Sequence, residues 1–177
     1  MKYRRIPPLE KKLINVIIET PRDSQNKFTY DSELHVFKLK KTLPMGTTFP
    51  FDFGFIPNTK GADGDPLDVL VIMDQHAFPG CMVRCRPLGI LEAKQIETNK
   101  KPIRNDRIIA VADCSVGYGN ISNIKELNKS MVEEIENFFI DYNKHEGKKF
   151  KPVKWCKADH AITMIKKQSK DTRIKTS

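Results

Sequence analysis

Short hydrophobic segments of strand length dominate the first two thirds of the chain. Residues 13–19 form an apolar, β-branched run, which predicts a well-buried strand. Turn-forming residues 21–26 follow, and residues 27–30 and 34–39 then alternate between apolar and polar positions on either side of a second turn. This pattern predicts an antiparallel hairpin or meander near the start of the chain.

Glycine and proline divide the middle of the chain into further short strands. The candidate strands are residues 53–56, 69–73, 81–87 with 88–92, and 108–112. Many short strands separated by Gly/Pro turns are typical of a closed or nearly closed β-barrel.

The hydrophobic period changes from strand to helix in the last third of the chain. Apolar residues recur at helical spacing from Leu127 to Tyr142, which predicts an amphipathic helix of about 18 residues with Gly147 as its C-cap. A second, weaker helix is predicted from Ala158 to about residue 167. With neither an internal repeat nor a clear linker, the sequence indicates one α+β domain spanning residues 1–177.

Positive charge is concentrated near the C-terminus. The formal net charge is +9, and residues 144–177 carry eleven Lys/Arg against three Asp/Glu. Such a segment either binds a nucleic acid or another anionic surface, or is a solvated helix followed by a frayed tail from about residue 168. No apolar run approaches the roughly 20 residues of a membrane span, and the basic N-terminus continues into polar residues, unlike a secretory signal. We therefore expect a cytoplasmic protein without a membrane partner.

The cysteines and histidines are scattered along the chain. The four cysteines form no Cys-x-x-Cys pair and show no histidine at zinc-ligand spacing, so they are predicted to be buried, reduced thiols without a structural zinc or disulfide. Surface or packing roles are predicted for the four histidines, namely His35, His76, His145 and His160. Trp155 is predicted to pack against the terminal helix.

The most informative stretch is residues 63–68, which read Asp-Gly-Asp-Pro-Leu-Asp and lead directly into a predicted strand. Gly64 and Pro66 favour a bend that can turn Asp63, Asp65 and Asp68 toward one point. Three close carboxylates stay ionised together only beside a cation, and hard oxygen ligands suit Mg²⁺ or Mn²⁺. A solvated acidic turn is the alternative, whereas a calcium EF-hand lacks its required glycine and glutamate here.

Several basic residues stand in otherwise apolar segments around this turn. Lysine and arginine resist burial unless they face anions, so together with an acidic metal loop they fit a phosphate-binding cleft. The residues are Lys27, Lys41, Arg84, Arg86 and Arg107.

Taken in order, these segments resemble the family I soluble inorganic pyrophosphatases, over residues 13 to about 165. The likeness rests on Ile-Glu-Thr at 18–20, the Pro/Phe/Gly segment at 49–57, Asp-Gly-Asp-Pro-Leu-Asp-Val-Leu-Val at 63–71, and Arg-Cys-Arg-Pro-Leu-Gly at 84–89. The Arg-Asn-Asp-Arg sequence at 104–107 is similar to a bacterial branch of the family. The resemblance implies a five-stranded OB-like closed β-barrel with flanking C-terminal helices. It further implies Mg²⁺-dependent hydrolysis of pyrophosphate to two phosphates, with Mn²⁺ as a substitute, in a dimer or hexamer.

The resemblance also implies roles for individual residues. Asp63, Asp65 and Asp68 would hold two activating metals, and Asp65 would take the proton from the bridging water. Glu19 would order metal-bound water. The positions that contact phosphate in the family are occupied here by Lys27, Lys41, Arg107 and Tyr142.

The sequence departs from the family pattern at several of these positions. Thr29 stands in place of a carboxylate, Lys41 cannot form the planar fork of the usual arginine, and Asn143 replaces a phosphate-binding lysine. Other replacements are Phe49 and Phe53 for tyrosines and Arg107 for a lysine.

The second set of metal-binding carboxylates is assigned to Glu97 and Asp106. Alignment back from Arg107 puts Asn105 where one aspartate is expected, with Asp106 beside it. Glu97 supplies the other carboxylate if residues 95–104 carry an insertion.

Three alternatives to a pyrophosphatase remain open at this point. The altered pocket could hydrolyse another small phosphoanhydride, or the chain could be a degenerate homologue that binds pyrophosphate and metal without efficient turnover. A nucleic-acid-binding barrel is disfavoured because the phenylalanines fall in core-like positions, whereas such a surface needs exposed stacking aromatics.

Overall fold

The structure is a computed structural model that describes residues 3 and 5–169. The strands are β1 Leu9–Glu10, β2 Leu13–Thr20, β3 Asn26–Asp31, β4 Val36–Thr42, β5 Asp52–Ile56, β6 Leu67–Ile72, β7 Met82–Ile96, β8 Ile103–Arg104, β9 Arg107–Ala112 and β10 Lys149–Lys157. The helices are α1 Lys129–Lys144 and α2 Ala158–Gln168, with a short 3₁₀ turn at Ile124–Glu126. None of the described helices is long and apolar enough to cross a membrane.

Five strands close into a ring. β2 pairs antiparallel with β5, β5 with β6, and β7 with both β9 and β2, while β6 and β9 run parallel. The ring order is therefore β2-β5-β6-β9-β7 and back to β2, which removes the open sheet edges of these strands. The predicted β-rich fold with flanking helices is confirmed, and the pairing gives the closed five-stranded barrel.

Both faces of the ring strands are covered. Along β6, Val69 and Val71 face one apolar cluster that also contains Ile165 of α2, whereas Leu70 belongs to a second cluster with Phe139 of α1. Strands buried on both faces are apolar at consecutive positions, which explains the continuous hydrophobic runs of the sequence.

The long strand β7 joins two segments that the sequence suggested separately. Residues 82–96 form one strand, and its register against β9 shifts between Pro87 and Gly89. A Cβ at residue 89 would lie 2.6 Å from the carbonyl oxygen of Cys156. Glycine at this bulge therefore lets β10 approach β7 closely.

Strand β10 was missed by the sequence analysis. Its residues Lys-Phe-Lys-Pro-Val-Lys-Trp-Cys-Lys carry a proline and four lysines, a composition that argues against a central strand. The structure places it at the outer side of β7, with a register shift between Pro152 and Lys154 that accommodates the proline. An edge position tolerates both features because one side of the strand has no ladder partner.

The predicted helices are both present, with small changes in their bounds. α1 spans 16 residues and begins after Asn128, whose side chain accepts a hydrogen bond from the Ser130 amide. Gly147 has a φ of +69° and donates its N–H to the Lys144 carbonyl, as a glycine just past a helix end does. α2 covers the predicted second helix, and the tail predicted from about residue 168 lies mostly outside the described residues.

Two predictions about single side chains were wrong. Cys85 is buried, but Cys114 is exposed and Cys81 and Cys156 are half-buried, although all four thiols are free. Trp155 packs in the cluster of α1 and its indole N–H donates to Glu136 on that helix, so it does not pack on the terminal helix.

Gly54 is the position where barrel closure leaves the least space. A Cβ on this β5 residue would lie 2.1 Å from the Ile17 carbonyl oxygen of β2. We expect Gly54→Ala to destabilise the fold by about 3 kcal/mol or more, because backbone of a neighbouring ring strand would have to move. Urea unfolding measures the loss.

Gly46→Ala is the matched control for this substitution. Gly46 has a φ of +79° and open space at its Cβ, so the cost there is conformational strain of about 1–2 kcal/mol. Equal losses for the two variants would contradict the close approach of β2 and β5.

The hairpin of β3 and β4 carries a pH-sensitive turn. Asp31 accepts hydrogen bonds from the backbone amides of Leu34 and Glu33 and from the Lys38 ammonium. The Leu34 amide and the Lys38 side chain lower the pKa of Asp31 from 3.8 to about 2. Because the pKa of this carboxyl group is lower in the folded protein than in the unfolded chain, its ionised form stabilises the fold at pH values above the pKa of the unfolded state. This stabilisation is lost as the pH falls through the pKa of the folded state.

We expect the stability difference between the wild type and Asp31→Asn to be full at neutral pH and to shrink between pH values of about 4 and 2. Asparagine can still accept the turn hydrogen bonds, so the difference reports the charge. Urea unfolding of both proteins across this pH range measures it, and a constant difference would contradict the assignment.

Candidate active site

One cleft of about 710 Å³ opens beside the barrel and receives side chains from most of its elements. Its acidic side is the loop that precedes β6, and its basic side is built from β3 and β9. Aromatic residues of the 49–55 segment and of α1 form the remaining wall.

The acidic loop places its three predicted carboxylates on the cleft. Asp63, Asp65 and Asp68 all line it, and Gly64 between them has a φ of +94°, which favours glycine. The loop is fixed by its own hydrogen bonds, since Asp63 accepts from the Asp65 amide and the Gly61 amide donates to the Asp65 carbonyl at 2.7 Å. Partial burial, together with the charges of Asp68 and Asp65, raises the pKa of Asp63.

This donor set fits a hard divalent cation. The three groups are all carboxylates, and two of them, Asp63 and Asp65, are exposed to the cleft. Burial first, and then the charges of Asp68 and Asp65, raise the pKa of Asp63, and a bound Mg²⁺ or Mn²⁺ would stabilise its ionised form against both effects.

A buried ion pair forms the floor of the cleft. Glu19 on β2 and Lys27 on β3 are each 7% exposed, and their charged atoms lie 3.6 Å apart. Glu19 also accepts hydrogen bonds from the Tyr30 amide and the Thr29 hydroxyl. Burial raises the pKa of Glu19 and lowers that of Lys27, while their opposite charges work against both shifts.

Arg107 at the start of β9 connects the acidic loop to the apolar wall. Its Nη1 lies 2.7 Å from Asp68 Oδ2, and the guanidinium carbon lies 5.1 Å from the ring centre of Phe139. The side chain is buried, and its Nε has no hydrogen-bond partner among the described residues. Because Arg107 also lines the cleft, its positive charge would stabilise an anion there.

The predicted second set of carboxylates is not assembled in the cleft. Asp106 accepts hydrogen bonds from the Ala93 amide and the Arg104 side chain, and Glu97 pairs with Lys100 and Lys148. Hydrogen bonds from those lysines, the one from Lys100 foremost, lower the pKa of Glu97. Neither carboxylate is among the residues that line the cleft.

Two amides occupy the corresponding wall of the cleft. Gln95 and Asn105 both line it, and Asn105 Nδ2 donates to Gln95 Oε1 at 2.8 Å. Side chains alternate along an extended chain, so Asn105 and Arg107 share the cleft side while Asp106 points away. This alternation was the signal in the sequence that favoured Asn105 over Asp106.

The rim of the cleft is held by ion pairs. Lys41 Nζ bonds Glu146 and lies 3.8 Å from the ring centre of Tyr142, and Lys148 lies 3.6 Å from Glu146. Tyr142 and Glu146 line the cleft, whereas Lys41 reaches its edge only through these two partners. Burial, followed by the charge of Glu146, raises the pKa of Tyr142.

Phe49 and Phe53 are buried in the wall. Phe49 contacts the rings of Phe138 and Tyr142, and Lys27 Nζ lies 3.9 Å from the ring centre of Phe53. Asn143, which replaces a lysine, is buried and donates to the Phe139 carbonyl of its own helix. These positions therefore supply packing and a cation–π contact in place of polar donors.

Fold and site together define a β-barrel enzyme whose cleft suits divalent cations and a phosphate-like anion. A family model described as inorganic pyrophosphatase matches residues 16–173. The chain is 38% identical to the inorganic pyrophosphatase of Synechocystis over 93% of this chain and 95% of that protein. A protein of the same name from Halalkalibacterium halodurans is 37% identical over 89% of this chain and 93% of its own length.

A solved structure gives the same result. The inorganic pyrophosphatase of Thermus thermophilus superposes with a TM-score of 0.85 at 29% identity, covering 95% of this chain and 97% of that one. The chain belongs to the inorganic pyrophosphatase family.

Proposed function

We propose that this protein hydrolyses inorganic pyrophosphate to two phosphates with the help of Mg²⁺. The observation that carries the proposal is the cleft itself, which sets three carboxylates of one loop against the buried cations Lys27 and Arg107. A small polyanion accompanied by divalent cations satisfies both sides of this arrangement at once.

Asp63, Asp65 and Asp68 would hold the metal. The chemistry that bound Mg²⁺ supplies is neutralisation of phosphate oxygens and a lowered pKa of the attacking water. Asp65 is exposed to the cleft and would take the proton of that water, as a general base must lie within hydrogen-bond reach. Glu19 would accept a hydrogen bond from water beside the loop, since Glu19 and Asp68 line the same cleft.

Lys27 and Arg107 would bind the phosphate groups. Lys27 is already directed into the cleft by Phe53 and Glu19, and an incoming anion would offset the lowered pKa that burial causes. Arg107 lines the cleft beside its pair with Asp68 and would contribute its positive charge. At the rim of the cleft, Tyr142 and Lys41 would contact the second phosphate group. The aromatic wall that contains Phe49 would exclude water from it.

We assign no ligand role to Glu97 or Asp106, since both are engaged outside the cleft. Gln95 and Asn105 would instead border the bound metal and substrate with neutral amides, whose oxygens already accept hydrogen bonds from Asn105 and Arg107 respectively. Amide oxygens are weaker metal ligands than carboxylates, so we infer that this wall contributes less to metal affinity than the acidic loop.

Phosphate release by the purified protein tests the proposal. We expect release from pyrophosphate with Mg²⁺, weaker or altered release with Mn²⁺, and none after chelation of the metal. Faster release from ATP than from pyrophosphate would favour another phosphoanhydride as the substrate. A folded protein that binds pyrophosphate and Mg²⁺ without turnover would favour a degenerate binding protein.

We make three further proposals. A homodimer or homohexamer as the assembled form rests on the family resemblance. A cytoplasmic location rests on the sequence pattern, which shows neither a secretory signal nor a membrane span, and the exclusion of nucleic acid as a partner rests on the core-like positions of the phenylalanines. Sedimentation of the purified protein measures its oligomeric state. Binding to single-stranded DNA at increasing salt concentration tests whether nucleic acid is a partner.

A further inference from the structure

A cluster of metal-ligating side chains lies outside the cleft. It consists of Glu92 on β7, Cys156 on β10 and His160 in the first turn of α2, and one ligand atom from each lies within 4.8 Å of the others. The sequence alone predicts no zinc role for the cysteines, and the structure places Cys156 beside a histidine and a glutamate. Cys156 and His160 are four residues apart, and the chain turns from strand to helix between them.

The pairing of β7 with β10, and the start of α2 directly after β10, hold the three side chains of the cluster close together. β7 and β10 are paired on both sides of the site, with Glu92 opposite Lys154 and Ile90 opposite Cys156. Glu92 Oε1 lies 3.0 Å from His160 Nε2, and the Cys156 sulfur lies within 4.8 Å of a ligand atom of each. Ligand atoms around a tetrahedral zinc are about 3.5 Å apart, a value between the 3.0 Å separation of Glu92 and His160 and the 4.8 Å limit of the whole group.

The chemistry of the cluster differs from that of the acidic loop. A thiolate, an imidazole and a carboxylate form a mixed sulfur, nitrogen and oxygen set, which suits Zn²⁺ or Co²⁺ and is poor for Mg²⁺. The side chain of His160 is 47% exposed, which leaves a path for the ion and room for water as a fourth ligand.

Two cations compete with a metal for Glu92. Arg104 Nη2 lies 2.9 Å from Glu92 Oε1, and Lys154 Nζ lies 3.6 Å from Oε2. Arg104 also pairs with Asp106, so it would keep an acidic partner, and Lys154 is 60% exposed and free to turn into solvent. The metal must therefore displace these contacts and release the thiol proton to water, which lowers the affinity below that of a cluster without cations.

We propose that Glu92, Cys156 and His160 form a binding site for zinc or a similar borderline divalent ion, separate from the catalytic cleft. The proposal does not depend on the proposed function, because the site shares no residue with the lining of the cleft.

Cobalt absorption spectroscopy tests the site on the full, reduced chain. Excess Mg²⁺ is added first to occupy carboxylate sites, and Co²⁺ is then titrated in. We expect a near-ultraviolet charge-transfer band from a cobalt–thiolate bond, saturating at one ion per chain and lost when Zn²⁺ is added. Carboxylate sites give no such band, so the signal separates this cluster from the acidic loop.

Variants assign the band to individual ligands. We expect Cys156→Ser to abolish it and His160→Gln to weaken Co²⁺ binding at least about tenfold. Cys114→Ser and His145→Gln are matched controls, since both residues are exposed and lie outside the cluster. Both controls should keep the band, and thermal unfolding checks that each variant is folded.

Three outcomes would overturn the proposal. They are the absence of a thiolate band at a Co²⁺ concentration well above that of the protein, a band that survives Cys156→Ser, and a band that disappears in Cys114→Ser. The first would mean that the group is an ion-pair cluster only.

Discussion

Asp65→Asn should lower the turnover of pyrophosphate by about 10²–10⁴-fold, the range expected for loss of a general base. The side chain is exposed in the acidic loop, so the substitution removes charge and basicity without opening the core. Asparagine cannot take a proton from water, and it is a weaker metal ligand than aspartate. Steady-state phosphate release at saturating Mg²⁺ measures the effect.

The dependence of kcat on Mg²⁺ concentration distinguishes the loss of a general base from the loss of a metal ligand. If Asp65 acts as a base, kcat stays low when Mg²⁺ is raised, whereas a purely metal-binding role would be rescued by more metal. Asp113→Asn is the matched control, because Asp113 is an exposed aspartate outside the cleft. Unchanged turnover in Asp65→Asn would rule out the proposed role of the acidic loop.

Lys27→Met should both destabilise the fold and abolish most of the activity. It leaves Glu19 buried without its cation, and breaking a buried pair in this way costs about 3–5 kcal/mol. Two hydrogen bonds to Glu19, from Tyr30 and Thr29, remain and keep the carboxylate from being wholly unsatisfied. Urea unfolding measures the stability, and phosphate release measures the activity.

The double variant Glu19→Gln with Lys27→Met separates stability from function. Removing both charges avoids an unpaired buried ion, so most of the lost stability should return. Activity should stay low because the cleft still lacks the lysine that would bind phosphate. Recovery of activity together with stability would show that Lys27 has only a structural role.

Lys38→Met is the control for the lysine substitution. Lys38 pairs with Asp31 at the exposed end of the same hairpin, and exposed ion pairs contribute little to stability because water screens them. We expect a small loss of stability and no loss of turnover. A loss as large as that of Lys27→Met would contradict the importance of burial for the inner pair.

Local patterning was sufficient to predict most of the barrel. Four of the ring strands, β2, β5, β6 and β9, are buried on both faces along almost their whole length, so their apolar runs are unambiguous. α1 shows a clear helical period. β10 has neither signal, because an edge strand tolerates Pro152 and exposes several lysines. Its pairing with β7 depends on tertiary contact, which the sequence pattern does not encode.

The acidic loop could be predicted because its three carboxylates lie within six residues of one another. The positions of Glu97 and Asp106 outside the cleft could not be predicted, because they depend on which side of the β7–β8 hairpin each residue faces. The cluster of Glu92, Cys156 and His160 is harder still, because strand pairing brings Glu92 to residues that follow it by more than sixty positions. The spatial distances between such residues are set by the strand topology, and the spacing of residues along the sequence does not predict them.

The central position of β7 has a consequence for synthesis on the ribosome. β7 pairs with β2, β8, β9 and β10, and its contact with β2 closes the ring. A nascent chain that ends before Met82 therefore presents β2 with an open edge rich in Ile and Val, a surface prone to pair with other chains. Chaperone dependence should be greatest for ribosome-bound chains of this length, and it should fall once β7 and β9 have emerged from the exit tunnel.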